Sequence, residues 1–188
     1  MNNKRTGNTN VKETIFTHAA NLFAEKGIGA TSLADISAKA GISKGTLYYY
    51  YPAKELLVAE VSAMHFNRVA DLFFEWINGL NRDSTEEEAV RSLFTAWNQN
   101  VKMQLLHIAI CAEAAAGNAQ LRDKLASCHR EWSVMLELGI LKIPARTSSR
   151  LRNLSGIFLL FLDGYTLKRS MGLPLPSEDE LIRILLKG

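Results

Sequence analysis

Apolar residues recur along this chain at intervals of three to four and show no sustained two-residue alternation, so helices rather than strands are predicted. Ile15, Ala19, Leu22 and Phe23, with Phe16 alongside, form the first stripe. It predicts a helix over 11–26, capped by Asn10 with Glu13 three residues on, and stopped by Gly27. Leu33 and Ile36 mark a short second helix, and Leu47 and Tyr51 the inward side of a third. Pro52 opens a longer helix reaching Ile77. After a loop over 79–84, Ser84 or Thr85 followed by the acids 86–88 starts a helix in the favourable dipole sense, running to about Leu105. A short helix over 107–116 breaks at Gly117-Asn118, and another over 119–141 stops before Pro144. A long helix spans about 148–171, and Ser177 with Glu180 forms a capping box for the last. Leucine and alanine (26 and 21) swamp valine (7), so the expected fold is all-α.

Residues 32–51 carry the chemistry. Ser32 caps the second helix and Asp35 closes a capping box. Gly41 stands where a chain leaving a helix needs positive φ, and Ser43 caps the third helix. With Leu47 and Tyr51 turned inward, Lys44, Thr46, Tyr48, Tyr49 and Tyr50 are left outside. Gly45 costs about 1 kcal/mol of helix propensity relative to alanine, but lets the backbone approach another surface. Helix, short turn and helix make the unit whose second member lies in a DNA major groove, and this one offers hydroxyls, an ammonium and flat rings.

At these residues the chain resembles the TetR (tetracycline-repressor-type) transcriptional regulators. The resemblance runs from about Thr9 to Val69. It rests on I-F-T-H-A-A-N-L-F-A-E-K-G at 15–27, A-T-S at 30–32, D-I-S-A-K-A-G-I-S-K-G-T-L-Y-Y-Y-Y at 35–51 and P-A-K-E-L-L at 52–57. Tyr51 replaces the family's usual phenylalanine, placing a hydroxyl near the core that must find a partner or solvent. Tyr50 stands where histidine is common. The resemblance implies a three-helix helix-turn-helix head over 9–69, with the reading unit at 32–51, and a helical effector-binding and dimerisation bundle over 70–188. Lys44, Gly45, Thr46 and Tyr49 would touch base edges or a thymine methyl; Ser43, Tyr48, Tyr50 and Lys54 would hold phosphates, with Ser32 at the edge of the surface.

Charge agrees with that placement. Residues 1–54 hold seven Lys/Arg against three acids, a net +4, whereas the whole chain carries +3. The excess positive charge thus sits with the head, where counterion release from DNA needs it. Lys4 and Arg5 precede the expected first helix as a polar tail or minor-groove arm.

Farther along, Leu151, Leu154, Ile157, Phe158, Leu159, Leu160, Phe161, Leu162, Tyr165 and Leu167 cover more than one helical face. A helix apolar nearly all round is buried nearly all round, and a second copy of the chain is the simplest cover. The helices over 148–171 and 177–188 are therefore expected to form half of a four-helix homodimer interface, through Leu154, Phe158, Phe161, Leu162, Tyr165, Ile182 and Leu185. A two-fold dimer matches a palindromic operator in double-stranded DNA. Aromatic and methionine side chains in the body make ordinary cores and also adaptable pockets. The resemblance implies a small apolar or amphipathic effector, and Trp97, Met103, His107, Trp132 and Phe158 are the candidate wall.

Other chemistry is thin. The four histidines fall in no metal-binding motif, Cys111 and Cys128 lack metal-site spacing, and no phosphate loop occurs, so neither catalytic residue, metal nor cofactor is expected. A thiol switch at either cysteine stays open. The polar N-terminus MNNKRTGNTN has no signal-peptide core and no apolar stretch is long enough to span a bilayer, so a cytoplasmic, membrane-free protein is expected.

Overall fold

A computed structural model of the protein describes residues 3–143 and 155–187, with side chains over 11–143 and 155–186. Among the described residues all regular structure is helical: α1 Asn3–Lys26, α2 Leu33–Ala40, α3 Lys44–Tyr50, α4 Lys54–Gly79, α5 Glu86–Asn98, α6 Val101–Ala115, α7 Ala119–Leu141, α8 Ser155–Ser170 and α9 Glu178–Lys187. The chain divides into two compact units, one of residues 1–65 with 105–122 and the other of 66–104 with 123–188. The helical segment 105–115 thus joins the head's unit, a return of the chain that a boundary drawn once along the sequence, at residue 69, does not capture.

The first unit is built on the predicted stripe. Ile15, Ala19 and Phe23 of α1 are fully buried with Ile36 of α2, Leu47 of α3 and Leu57 of α4. Thr31, buried in the α1–α2 connection, donates from Oγ1 to the Gly27 carbonyl at 2.8 Å and satisfies an acceptor left over at the end of α1. The backbone of α1 extends back to Asn3, so Asn10 lies within the helix and Lys4 and Arg5 sit on helical backbone rather than on an extended arm.

The second unit has an aromatic core. Trp132 of α7 meets Phe66 and Phe73 of α4 edge-on at 6.0 and 6.1 Å between ring centres, and Phe94 of α5 meets Tyr165 of α8 at 4.8 Å. Trp76 donates its indole N–H to the Ala89 carbonyl at 2.9 Å. Gly139 on α7 lies against that ring, so that a Cβ there would overlap Trp76.

One helix boundary differs plainly from expectation. The helix begun by the Thr85–Glu88 capping box ends at Asn98, not Leu105. Asn100 then caps α6, its Oδ1 accepting the Met103 N–H at 3.0 Å, and buried Gln104 donates to the Trp97 carbonyl at 2.9 Å and to Asn98 Oδ1 at 3.2 Å. Asparagine side chains compete for backbone donors and restart a helix here, which apolar periodicity alone does not reveal. The Ser177–Glu180 capping box forms as expected.

Candidate nucleic-acid interface

The reading unit is fixed by short-range bonds at every joint. Ser32 Oγ accepts the Asp35 N–H at 3.1 Å, and Asp35 Oδ2 accepts the Ser32 N–H at 2.9 Å. That backbone bond, then the side-chain one, holds the Asp35 carboxyl below its ordinary range. At the other end of α2, Gly41 takes φ 66°, and the Ile42 N–H reaches back to the Ser37 carbonyl at 3.1 Å. Ser43 then caps α3, its Oγ accepting the Thr46 N–H at 3.0 Å.

Two anchors orient α3. Leu47 is fully buried and Tyr51 is 2% exposed. The Tyr51 hydroxyl donates to Glu60 Oε2 at 3.0 Å, and the other oxygen of that carboxylate pairs with Lys12 Nζ at 2.8 Å. The lysine also lies 5.9 Å from the Tyr51 ring centre. Burial, then Glu60 as acceptor and neighbouring charge, push the phenol above its ordinary range. The hydroxyl at a position where phenylalanine is usual therefore ties α3 to α4 and, through Lys12, to α1. Sequence reasoning expects a partner for it but does not name Glu60 or Lys12, because their neighbourhood belongs to helix packing rather than to spacing along the chain.

What remains of α3 faces outward. Tyr49 is 77% exposed and Tyr48 51%. Ser43, Lys44 and Gly45 are exposed, while Thr46 and Tyr50 are half-buried. Tyr50 stands edge-on to Tyr49 at 5.3 Å and 87° between planes, steadying the projecting ring. A Cβ at Gly45 would meet only Ser43 Oγ, at an ordinary 3.7 Å, so nothing within the chain demands glycine there. A low start to α3 matters to a surface that approaches from outside. Of the nine expected DNA-facing residues, Lys54 is engaged elsewhere. Its ammonium donates to the Ile28 carbonyl at 2.6 Å and the Gly29 carbonyl at 3.4 Å, tying the start of α4 to the α1–α2 connection.

Residues 15–61 match the family model for bacterial regulatory proteins of the tetR family. Over that stretch, a quarter of its length, the chain is similar to TetR-family regulators. It is 35% identical to the HTH-type transcriptional repressor KstR2 of Rhodococcus jostii over 79 residues, which cover 42% of this chain and 39% of that repressor. The chain thus spans well under half of that relative's length. Against the biofilm operon icaADBC negative transcriptional regulator IcaR of Staphylococcus aureus strain Newman, identity is 25% over 174 residues, 90% of each chain. A crystal structure of a TerR/AcrR-family transcriptional regulator from Aquifex aeolicus VF5 superposes with a TM-score of 0.64 at 23% identity, covering 95% of this chain and 96% of that one. That likeness is one of fold. These relatives are regulators of transcription.

The expected body residues distribute unevenly. Of the five candidates for a pocket wall, Phe158 lines a cavity of about 30 Å³, with Trp76, Leu93, Leu136, Ile140 and Leu185. Trp97, Met103 and Trp132 are buried core residues, and His107 is buried within the first unit. Trp97 donates its indole N–H to Thr166 Oγ1 at 2.9 Å. Among the expected interface residues, Phe158, Leu162 and Ile182 are buried inside the subunit, Phe161, Tyr165 and Leu185 are half-buried, and Leu154 lies outside the described residues. The exposed apolar side of α8 is a different stripe, Ile157, Leu160 and Leu167, continued by Met171 beyond its end. α9 packs against α5, with Arg91 3.6 Å from Glu178 and 2.7 Å from Asp179. Periodicity shows that α8 is apolar on more than one side; only packing tells which side the subunit uses. Among the described residues no helix is long and apolar enough to cross a membrane.

Proposed function

We propose that this chain is a TetR-type, sequence-specific DNA-binding transcriptional repressor that acts as a homodimer on an inverted-repeat operator. The single observation that carries the reading is the two-sidedness of α3. Leu47 and Tyr51 lock it into the head, while Lys44, Tyr48 and Tyr49 stand in solvent with Gly45 keeping the approach low. Lysine suits the guanine edge and an aromatic ring suits a thymine methyl; exposed hydroxyls suit phosphate oxygens. Ser32, Ser43, Thr46 and Tyr50 complete the surface, and Lys54 contributes by positioning α4.

Dimerisation is supported by the apolar stripe on α8. Ile157, Leu160 and Leu167 are each about half exposed or more, and a Cβ at Gly156 or Gly164 would meet nothing within 4 Å, so the backbone there is open to close approach. α7 runs antiparallel beside α8, with Ser155 Oγ donating to Glu137 Oε1 at 3.1 Å and His129 3.9 Å from Asp163. Val134, Leu138 and Leu141 of α7 are also about half exposed. Two adjacent helices with bare apolar residues, doubled by a two-fold axis, make a four-helix interface of α7 and α8 in place of α8 and α9. An isologous contact of that kind counts every residue twice.

The effector reading rests on the cavity lined by Phe158. Its wall is apolar apart from Ser155, which suits a neutral group over a cation. At about 30 Å³ it is far below the roughly 300–1,000 Å³ of a drug-sized site, so an effector would enter by shifting the population toward a more open body. The same small volume favours a second reading, a regulator whose body meets a partner protein and no metabolite. Selecting duplexes from a random pool tests the whole proposal. An inverted repeat bound by wild type, with Tyr49→Ala about 1–3 kcal/mol weaker and less selective, upholds it. No enriched sequence refutes it. Release of the selected duplex by small apolar compounds decides between the two readings of the body.

A further inference from the structure

Three polar side chains in the first unit take no part in the DNA-facing surface. His65 of α4 and His107 of α6 are both at least 98% buried, and Cys111 of α6 is half-buried. His65 Nε2 and His107 Nδ1 lie 2.9 Å apart. The other ring nitrogen of His107, Nε2, lies 3.6 Å from Cys111 Sγ. Burying two imidazoles costs more desolvation than burying two leucines, a cost that hydrogen bonds to the ring nitrogens offset.

We propose that His107 Nε2 and Cys111 Sγ form a chelating pair for a divalent transition-metal ion of the zinc or cobalt kind, with His65 fixing the His107 ring from behind. Residues four apart on a helix share one face, so both donors project the same way from α6. Zinc–sulfur bonds near 2.3 Å and zinc–nitrogen bonds near 2.0–2.1 Å at a tetrahedral angle separate the two donor atoms by about 3.6 Å. The pair already stands at that bite. A ligating histidine generally carries a hydrogen-bond partner on its other nitrogen, which fixes the tautomer. Here His107 in the Nδ1–H form donates to His65 Nε2 and presents its Nε2 lone pair toward the sulfur. Thiolate and imidazole together select zinc-like ions over magnesium or calcium. On binding, the Cys111 S–H bond breaks, a sulfur–metal bond forms and the proton passes to solvent. Water or an added group completes the coordination. Through His65 the ion stiffens the link between α6 and α4, the helix whose first turns hold Lys54 and Glu60.

Cobalt(II) titration of the full-length reduced protein tests this without reference to DNA. One equivalent of Co²⁺ should raise a near-ultraviolet thiolate-to-cobalt band. Cys111→Ser should abolish that band and Cys128→Ser should keep it. His65→Ala should weaken the affinity about 10- to 100-fold while retaining the band, the range expected for loss of an outer partner. Cys111 is half-buried, so its serine variant avoids the folding risk of a change at His107. Absence of the band in wild type, its survival in Cys111→Ser, or its loss in Cys128→Ser would overturn the assignment.

Discussion

Replacing Leu160 by alanine should weaken the dimer without weakening the subunit. Leu160 is 72% exposed on α8, so the subunit's own core loses almost nothing when the side chain is cut back. Complete burial of a leucine side chain stabilises by roughly 1.5–3 kcal/mol, and about seven-tenths of that is still available to a partner, roughly 1–2 kcal/mol. A two-fold interface contains the residue twice, so the dimer loses roughly 2–4 kcal/mol, less what alanine's methyl retains. At 1.4 kcal/mol per tenfold, a loss of about 2–4 kcal/mol raises the dissociation constant about 30- to 700-fold, and the methyl's share lowers both ends of that range. Sedimentation equilibrium measures that constant, and urea unfolding measures subunit stability alongside it. Leu162 is the control. Only two positions away but 1% exposed, it belongs to the core, and Leu162→Ala should cost about 2–5 kcal/mol of folding free energy. An unchanged dimer constant in Leu160→Ala would refute the assignment of this stripe. So would a Leu162→Ala variant of undiminished stability that failed to dimerise.

Other outcomes follow from the same contacts. Tyr51→Phe keeps the ring and removes one bond to a partly solvated carboxylate, so the urea midpoint should fall by an amount equivalent to about 1 kcal/mol. Gly139→Ala gains about 1 kcal/mol of helix propensity but drives a methyl into Trp76, an overpacking cost of about 1–3 kcal/mol. It should therefore lie between neutral and about 2 kcal/mol destabilising, with the loss relieved in a Trp76→Phe background by thermal melting. Lys54→Ala should lower stability by about 1 kcal/mol by leaving two carbonyls without their ammonium, and should leave the salt dependence of DNA binding unchanged. A salt slope flatter by about one would show Lys54 on phosphate instead. Asp35 is held below its ordinary range in the folded protein, so its stabilisation is present above the unfolded pKa near 4 and fades as pH falls through the folded value. Melting temperatures of Asp35→Asn should accordingly fall less steeply than wild type below about pH 4.

The head was readable because its determinants are local. Ser32 with Asp35, Gly41, and Ser43 with Thr46 each act within three residues of themselves, and the structure joins them as spacing predicts. Leu47 and Tyr51 turn inward for the same reason. Partners across the fold were not readable. Nothing along the chain connects Lys54 with Ile28, Tyr51 with Glu60, or Gly139 with Trp76. The amphipathic account of α8 stopped at the number of apolar faces. Choosing Leu160 over Leu162 for the outer side needs the neighbours, because both leucines look alike in sequence.

The asparagine break between α5 and α6 also constrains motion. Asn98 Oδ1 accepts from Gln104 Nε2 and, at 2.7 Å, from Arg169 Nη1 of α8, one position beyond the Trp97–Thr166 bond. Two directional links, side by side, key α8 to the end of α5. A slip of one helical turn, about 5.4 Å, would sever both at once and strand a tryptophan N–H in an apolar interior. Tilting the keyed pair as a block preserves both links, whereas ratcheting one rod past the other breaks both.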